Sequence, residues 1–337
     1  MKVLVTGGAG FIGSTVCSAL LDAGHVPVVL DDLSTGRREF VAGRALYEGD
    51  VADEVLLDRI LADHPDVACT IHCAAAIVVA ESVEDPLRHY DNNVGRSVRL
   101  LRHLSRRGRP RVLFSSSASI YGPADDFVVD ESSPLRPSSP YARTKATLET
   151  VLADAAAAGA LAPVSLRYFN PIGADPRMRS GLALDRPSHV LGRLIEASET
   201  GTAFRVTGVD WPTRDGTGIR DYVHVWDLAR AHVRAVERFD TLLATAGGEL
   251  LALNLGTGEG TTVRELLEAF RRVTGRPLPA VEAGPRPGDV AGAYARSRYD
   301  ESLLGWRAEL GLEDGIRHAL EWHRRWRARL AADTSAA

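Results

Sequence analysis

Residues 1–13 read M-K-V-L-V-T-G-G-A-G-F-I-G, and this stretch decides the fold of the chain. An apolar run at Val3–Val5 leads into Gly7, Gly10 and Gly13, and a helix-compatible stretch follows. The pattern predicts a strand, a tight turn and a helix in direct succession. Glycines let the backbone approach a pyrophosphate closely, and the free N–H groups of the helix's first turn attract negative charge. The sequence therefore predicts a phosphate-binding turn.

Two carboxylates follow predicted strands in the positions that a dinucleotide needs. Val26–Leu30 is a predicted strand that ends at Asp31, about twenty residues after the turn, where a carboxylate accepts the ribose hydroxyls of adenosine. Ala45–Glu48 is a third predicted strand, and it leads to Asp50, which we expect to accept the adenine amino group. A dinucleotide is therefore the expected ligand.

The composition excludes several classes of protein. The chain has 337 residues, of which 45% are hydrophobic and 25% charged, with a net charge of −4. These values are typical of a soluble globular protein, and the lack of a basic stripe argues against nucleic acid. The apolar stretches are too short for a membrane span, and the first residues resemble a strand rather than a signal peptide, so we expect a cytoplasmic protein. Cys17, Cys69 and Cys73 fit neither a disulfide framework nor a metal site, and we expect reduced thiols.

The order of predicted elements gives the fold class. Three further strands are predicted at Ala68–His72, Arg111–Phe114 and Val164–Tyr168. Strands alternating with helices predict an α/β fold, a Rossmann-type doubly wound parallel sheet, over residues 1–170. Loops, short helices and isolated strands such as Leu251–Asn254 predict a smaller C-terminal α/β substrate lobe over residues 171–330. Residues 331–337 are predicted to be a disordered tail.

A possible catalytic group follows the fifth strand. Residues 115–119 are a hydroxyl-rich cluster, and Tyr141 and Lys145 share one face of a predicted helix, since they are four residues apart. A surface tyrosine and lysine would be the commoner case, but the serine cluster and the glycine turn precede this pair in the order that a hydride-transfer site requires. Ser117 would hold a substrate hydroxyl, and Tyr141 would act as the base.

The tyrosine can act as a base only if its surroundings change its pKa. A phenol with a pKa near 10 is about 0.1% ionised at neutral pH. Lowering that pKa to about 7 requires roughly 4 kcal/mol of interaction that favours the phenolate. The ammonium of Lys145 and an oxidised nicotinamide ring would both supply such an interaction.

Other polar residues are weaker candidates. Asn92 lies on a helix predicted at Pro86–Arg107, where an amide could contact a cofactor or simply face solvent. Arg220 and Arg286 lie in predicted loops, and guanidinium forks suit a diphosphate, although lone surface arginines are the alternative.

Taken together, the motifs resemble those of the extended short-chain dehydrogenase/reductase superfamily and, within it, the UDP-glucose (UDP-galactose) 4-epimerases. The resemblance extends from Met1 to about Arg327. It rests on T-G-G-A-G-F-I-G at Thr6–Gly13, D-N-N-V at Asp91–Val94, S-S-S-A-S-I-Y-G at Ser115–Gly122, S-P-Y-A-R-T-K at Ser139–Lys145, L-R-Y-F-N-P-I-G-A at Leu166–Ala174, P-T-R-D-G-T-G-I-R-D-Y-V-H-V at Pro212–Val225 and R-P-G-D at Arg286–Asp289.

The resemblance implies a reaction and a set of site residues. It implies a tightly held NAD that takes hydride from C4 of the hexose in a UDP-sugar, rotation of the resulting 4-keto sugar, and return of hydride to its other face. The implied catalytic residues are Ser117, Tyr141 and Lys145. The implied NAD-binding residues are Gly7, Gly10, Phe11, Ile12, Gly13, Asp31, Asp50, Val51, Asn92, Ser117, Tyr141, Lys145 and Phe169. The implied substrate-binding residues are Ser117, Tyr141, Asn170, Arg205, Arg220, Arg286, Asp289 and Ala293.

The resemblance also implies a homodimer and a range of sugars. Family members pair the long helix after Asp85 with the Tyr141 helix. A small residue four positions past Asp289 admits a 2-N-acetyl group, whereas a tyrosine restricts the site to plain hexoses. That position is Ala293, but a shift of one residue would bring Tyr294 there instead.

The chain departs from the family pattern at two places. Ala75-Ala76-Ile77 replaces the usual Gly-x-Lys, so a lysine near the cofactor is missing. Ser188-His189-Val190 replaces the frequent Asn-Asn-Leu, which puts the substrate contacts of this segment in doubt.

Two other functions compete with the epimerase. A nucleotide-sugar 4,6-dehydratase shares the fold, NAD and the Tyr/Lys pair, but its relatives place an Asp-Glu pair where this chain has Ala118 and Ser119. A non-catalytic NAD-sensing regulator of the same fold would need no Tyr/Lys pair. We therefore expect an epimerase.

Overall fold

The computed structural model describes residues 1–183, 189–285, 289–296 and 300–336. In chain order its strands are β1 Lys2–Thr6, β2 Val26–Asp31, β3 Ala45–Glu48, β4 Val67–His72, β5 Arg111–Ser117, β6 Val128–Val129, β7 Ala162–Tyr168, β8 Asn170–Ile172, β9 Phe204–Thr207, β10 Ile219–His224, β11 Leu251–Leu255, β12 Gly260–Thr262, β13 Ala280–Ala283 and β14 Gly292–Ala295. Its helices are α1 Phe11–Asp22, α2 Glu54–Asp63, α3 Val79–Glu84, α4 Pro86–Tyr90, α5 Arg96–Arg106, α6 Pro140–Ala157, α7 Val190–Thr200, α8 Val225–Glu237, α9 Phe239–Ala246, α10 Val263–Thr274 and α11 Leu312–Ala336.

The larger sheet has the order β11-β7-β5-β4-β1-β2-β3, and its pairings are parallel. Its strands are apolar on both faces because helices cover both faces: α1, α8 and α9 on one, and α2, α5 and α6 on the other. The strand order reverses between β1 and β4, which is the place where open α/β sheets bind ligands at the carboxyl ends of their strands. The predicted Rossmann-type doubly wound fold is confirmed.

The chain returns to the larger sheet after residue 170. Leu251–Asn254 was predicted as an isolated strand of the second lobe, but β11 pairs with β7 at the edge of the larger sheet. Helix α8 likewise packs along α1. Sequence position alone does not reveal this return, since a parallel edge strand is apolar whichever sheet it joins.

The second lobe is built on a smaller sheet. Strands β12, β10, β14 and β6 lie side by side, and β8 pairs in parallel with the last three residues of β10. Strands β9 and β13 form a separate pair. Helices α7, α10 and α11 cover these strands over a core that includes Leu194, Phe204, Leu266, Phe270 and Ile316. The lobe stands beside the carboxyl ends of the larger sheet because β8 follows β7 almost directly.

Two predicted helical segments differ from the structure. The single helix predicted at Pro86–Arg107 is interrupted by a π-helical turn at Asp91–Gly95. Helix α11 continues to Ala336, in place of the disordered tail predicted for residues 331–337, and the alanine-rich sequence there favours a helix.

Three findings bear on the expectations from composition. Across the described ranges, no helix is both long and apolar enough to cross a membrane. The three cysteines are free thiols, with Cys17 and Cys69 buried and Cys73 half-buried. Among the described residues there is no cluster of three or more His, Cys, Asp or Glu side chains placed to hold a metal ion.

Candidate functional site

The glycine-rich turn joins β1 to α1 and is closely packed. Gly7 has a φ of +67°, and a Cβ there would lie 2.6 Å from the backbone nitrogen of Ala74. A Cβ on Gly13 would lie 2.2 Å from the Gly7 carbonyl oxygen. Helix α1 begins at Phe11 without a side-chain cap on its N-cap residue Gly10, so the N–H groups of Phe11, Ile12 and Gly13 face the turn. This geometry fits a pyrophosphate.

Asp31 lies at the carboxyl end of β2, next to this turn. Its two carboxylate oxygens accept the N–H groups of Ala9 and Leu33, each at 2.8 Å. Burial raises the pKa of Asp31, and these two backbone hydrogen bonds act against that increase. The carboxylate thus fixes the glycine turn in place, and its remaining lone pairs are available to ribose hydroxyls.

Asp50 and Val51 follow β3 on the same edge of the sheet. Asp50 accepts the N–H of Ala52 at 2.8 Å, and its second oxygen lies 2.8 Å from Nη1 of Arg96. Val51 is half-buried beside it. The structure therefore places Asp50 just after β3, as the sequence predicted, and adds Arg96, which the sequence did not single out.

The π-helical turn carries two adjacent asparagines, of which Asn93 is buried. Asn93 is buried and donates from Nδ2 to the Ala76 carbonyl at 2.9 Å and to Thr144 Oγ1 at 3.1 Å. Asn92, the predicted cofactor residue, is half-buried and donates to Asn93 Oδ1 at 3.0 Å. Asn93 therefore ties the loop after β4 to the helix that carries Tyr141, a role that regular helical spacing could not indicate.

Lys145 lies in a pocket between α6 and β5. Its ammonium donates to the carbonyl of Ser115 at 2.7 Å and lies 5.0 Å from the centre of the Phe114 ring. Burial lowers the pKa of Lys145 to about 8, so the group is mostly charged at neutral pH. Cys73 lies in the same pocket, with its sulfur 3.1 Å from Ser115 Oγ.

Tyr141 lies one helical turn before Lys145. Helix α6 begins there because Ser139 accepts the N–H of Ala142 and Pro140 occupies the first turn. Burial raises the pKa of the Tyr141 phenol, and a hydrogen bond with Ser117 offsets only part of that increase. Ser117 itself donates to Ser119 Oγ at 2.9 Å. The structure thus brings together the three residues predicted to be catalytic.

The residues predicted to contact the sugar differ in burial and lie on different elements. Phe169 is buried, and Asn170 is exposed on β8. Arg205 is exposed on β9, in the two-stranded sheet. Asp289 is half-buried in the segment before β14, and Arg286 lies outside the described residues.

Arg220 differs most from its prediction. It lies on strand β10 rather than in a loop, and Nη1 donates to the carbonyls of Ile219 and Ala291, both at 2.7 Å. Nη2 donates to the Val290 carbonyl at 3.1 Å. Its guanidinium therefore supports the backbone of the segment that leads to Ala293.

Ala293 packs against an apolar cluster that includes the residue after Ser117. It pairs with Arg220 across β14 and β10, and it belongs to the apolar cluster around Tyr121 and Phe169, which also includes Ala118. Its neighbour Tyr294 points to the other face, since a Cβ on Gly260 would lie 2.5 Å from the Tyr294 ring.

The two departures from the family pattern also have positions in the structure. Ile77 is 60% exposed in the loop after β4. Ser188 lies outside the described residues, whereas His189 caps helix α7 by accepting the N–H of Gly192 at 3.2 Å.

Comparisons with known proteins agree with this geometry. The model of the NAD-dependent epimerase/dehydratase family matches residues 3–247. A UDP-glucose 4-epimerase from Rhizobium leguminosarum bv. trifolii is 44% identical over 322 residues, which cover 95% of this chain and 97% of the relative.

Solved structures are similar over the same length. The UDP-glucose 4-epimerase of Stenotrophomonas maltophila, solved with NAD and formylated UDP-arabinopyranose, has a TM-score of 0.90 and 36% identity, and the match covers 100% of both chains. The UDP-Glc/GlcNAc 4-epimerase of Campylobacter jejuni has a TM-score of 0.81 and 32% identity over 96% of this chain and 99% of its own. This chain belongs to the NAD-dependent epimerase/dehydratase family.

Proposed function

We propose that this protein is an NAD-dependent UDP-glucose 4-epimerase, which interconverts UDP-glucose and UDP-galactose by transient oxidation at C4. The observation that carries the proposal is the grouping of Ser117, Tyr141 and Lys145 at the carboxyl end of the parallel sheet, on the side of the glycine-rich turn. Full-length similarity to UDP-glucose 4-epimerases supports it.

The residues present fit an NAD molecule. Gly7 leaves room where any side chain would strike Ala74, and the uncapped start of α1 suits the pyrophosphate. The pyrophosphate would bind at Gly10, Phe11, Ile12 and Gly13. The adenosine ribose would bind at Asp31, and the adenine at Asp50 and Val51. The rest of the NAD molecule would contact Asn92 and Phe169. When bound, NAD supplies the acceptor for hydride at C4 and the donor that returns it.

The chain's own residues would control the proton and the sugar. Tyr141 would accept the proton of the C4 hydroxyl as the C4 hydrogen leaves as hydride, and it would return that proton to the 4-keto sugar in the reverse step. The Lys145 ammonium would stabilise the phenolate, and Ser117 would orient the hydroxyl. We propose that Asn170, Arg205, Arg220, Arg286, Asp289 and Ala293 contact the UDP-sugar.

An incubation with UDP-galactose tests the function. The purified protein, without added cofactor, should form UDP-glucose until both sugars reach equilibrium, as followed by chromatography. A 4-keto-6-deoxy product would indicate a dehydratase instead, and recovery of unchanged UDP-galactose would favour the non-catalytic regulator.

Asp31 predicts which nucleotide the protein carries. Its carboxylate lies where the 2′-phosphate of NADP would be placed, and two negative groups in contact repel each other. We expect NAD to be the main nucleotide released when the purified protein is denatured, as identified by mass spectrometry. Release of NADP as the main species would contradict this prediction.

The sugar range is a finer part of the proposal. Because Ala293 rather than Tyr294 packs towards Phe169, we propose that the enzyme also interconverts UDP-GlcNAc and UDP-GalNAc.

We further propose a cytoplasmic homodimer of two-lobed subunits. Residues 1–170, with 225–255 packed against them, would form the NAD-binding lobe, and the remaining residues up to 330 would form the sugar-binding lobe. Exposed apolar side chains on α3 and α4 support a dimer, since Val83 is 56% exposed and Leu87 is 81% exposed.

Replacing Leu87 with aspartate tests the dimer. A charge in an apolar interface would lack a partner, so Leu87→Asp should have the molar mass of a monomer by light scattering. The control Val55→Asp, at an 80% exposed position on α2, should keep the molar mass of the dimer. A wild-type monomer at micromolar concentration would contradict the proposal.

A further inference from the structure

A buried ion pair lies behind the Tyr141–Lys145 segment. The side chains of Glu149 and Arg167 are only 5% and 7% exposed. Nε of Arg167 lies 3.0 and 3.1 Å from the two carboxylate oxygens of Glu149, and Ser165 Oγ donates to one of them at 2.7 Å. Burying a charge costs free energy unless the charge is paired and fully hydrogen-bonded. The fold therefore buries this pair only because each charge has its partner.

The pair joins the elements that carry the site. Glu149 lies on α6, one helical turn after Lys145, and Arg167 lies on β7, two residues before Phe169. Arg167 also donates to the Tyr121 hydroxyl at 3.0 Å, and that hydroxyl donates to Asn254 on β11 at 2.7 Å. Tyr121 belongs to the same apolar cluster as Phe169 and Ala293.

We propose that Glu149 and Arg167 are positioning residues for the epimerase reaction. Their ion pair aligns the helix carrying Tyr141 and Lys145 with the strand that leads to the sugar, and Glu149 supplies a countercharge for the Lys145 ammonium. This inference rests on the proposed function, and it deepens that function by assigning a role to a buried pair outside the predicted catalytic residues.

The surroundings of Lys145 support the countercharge. The titratable groups in and beside its pocket are His72 and Cys73 at the end of β4, Tyr168 at the end of β7, and Tyr141 and Glu149 on α6. Burial lowers the pKa of His72 to about 3 and raises the pKa of Cys73 to about 11, so both are neutral at pH 7. Burial of Lys145 favours its neutral form; an ionised Cys73 would oppose that effect most, but its thiol is neutral at pH 7, which leaves the Glu149 carboxylate as the opposing charge.

Glu149→Gln is the first test, because it keeps the shape of the side chain and removes its charge. We expect kcat for UDP-galactose to fall by about tenfold through loss of alignment, with KM and bound NAD little changed. The alkaline limb of the kcat–pH profile should move to lower pH by about one unit, since Lys145 then loses its proton more readily.

A second readout needs no substrate. The phenolate of Tyr141 can be titrated as the difference in ultraviolet absorbance between each protein and its Tyr141→Phe counterpart. Glu149→Gln should lower the pKa of Tyr141, because Lys145 has already lost its proton where the buried phenol titrates and the removed carboxylate is a negative charge that disfavours the phenolate. If the wild-type protein lacks epimerase activity, the proposed function fails, but this titration still tests the ion pair.

Two further variants separate positioning from general stability. Asp175 is fully buried and paired with Arg179 away from Lys145, so Asp175→Asn should leave the pH profile and the Tyr141 titration unchanged. Glu149→Gln combined with Arg167→Met leaves no unpaired buried charge, and it should lower kcat with a smaller pH shift of the same sign.

The outcomes are distinct. The proposal would be overturned if either variant, Glu149→Gln alone or combined with Arg167→Met, folds and has the same kcat, the same alkaline limb and the same Tyr141 titration as the wild-type protein. Insolubility of both the single and the double variant would also overturn it, because the pair would then serve folding alone.

Discussion

Tyr141→Phe is expected to lower turnover of UDP-galactose at least about a hundredfold, the usual contribution of a positioned acid–base group. Phenylalanine keeps the ring and removes only the oxygen that would exchange a proton with the C4 hydroxyl. The backbone N–H of Tyr141 would still donate to Ser82 Oγ, so the start of α6 should be unaffected. Steady-state kinetics and the nucleotide content of the denatured protein measure the two parts of this prediction.

Binding of NAD should survive the substitution. The glycine turn and Asp31 lie on β1, β2 and α1, and their contacts do not involve the Tyr141 hydroxyl. A matched control is Tyr47→Phe, since the Tyr47 hydroxyl donates to Asp63 at the surface and should be irrelevant to catalysis. Near-normal turnover in Tyr141→Phe would remove Tyr141 from its assigned role, whereas loss of NAD would make the kinetics uninformative about proton transfer.

The sequence predicts the larger sheet well, for a physical reason. Buried parallel strands must be apolar on both faces, so they stand out as short apolar runs between helices. Predicted strands such as Val26–Leu30 and Ala68–His72 agree with β2 and β4 to within one residue at each end. The glycine turn is equally predictable from the sequence, because a side chain at Gly7 or Gly13 would collide with neighbouring backbone atoms.

The connections between elements are harder to predict. Strand β11 joins the larger sheet by pairing with β7, which lies about ninety residues earlier in the chain. The local hydrophobic pattern of a strand does not indicate which distant strand it pairs with. The π-helical turn at Asp91–Gly95 shifts the helical register, and the buried amide that bonds the loop after β4 is that of Asn93, the neighbour of the predicted Asn92.

Polar contacts of long side chains are the least predictable part of the site. Arg220 was expected to reach a diphosphate, and in the structure its guanidinium also donates to the backbone carbonyls of Ile219, Ala291 and Val290. Lys145 and Tyr141 could be placed on one helix face from their spacing, whereas the contact of Lys145 with the Ser115 carbonyl depends on how α6 packs against β5. Such contacts follow from tertiary packing, which spacing alone does not determine.

Ala293→Tyr is expected to remove activity on UDP-GalNAc while activity on UDP-galactose persists. A tyrosine ring at this position would extend towards Phe169 and Ala118, where the alanine methyl group packs in the structure. A 2-acetamido group would then compete with the ring for space, and overpacking of a rigid site costs about 1–3 kcal/mol, or roughly fivefold to 150-fold in rate.

Strand geometry supports Ala293 over Tyr294 as the residue that faces the sugar. Successive side chains of a strand point to opposite faces, and Ala293 and Ala295 share the cluster with Phe169 while Tyr294 packs at Gly260. A one-residue shift would break the pairing of Ala293 with Arg220 and of Tyr294 with Val128. The register of β14 therefore argues against a site closed by Tyr294.

Parallel assays with both substrate pairs decide the sugar range. The wild-type protein should convert UDP-GalNAc to UDP-GlcNAc as well as UDP-galactose to UDP-glucose, and Ala293→Tyr should retain only the second reaction. Tyr294→Phe is the matched control, because it changes the neighbouring side chain without altering the Phe169 face, and it should leave the ratio of the two activities unchanged. A wild-type enzyme that is active on UDP-galactose but inert towards UDP-GalNAc would contradict the assignment, because a small residue at position 293 would then not be sufficient to admit the acetamido group.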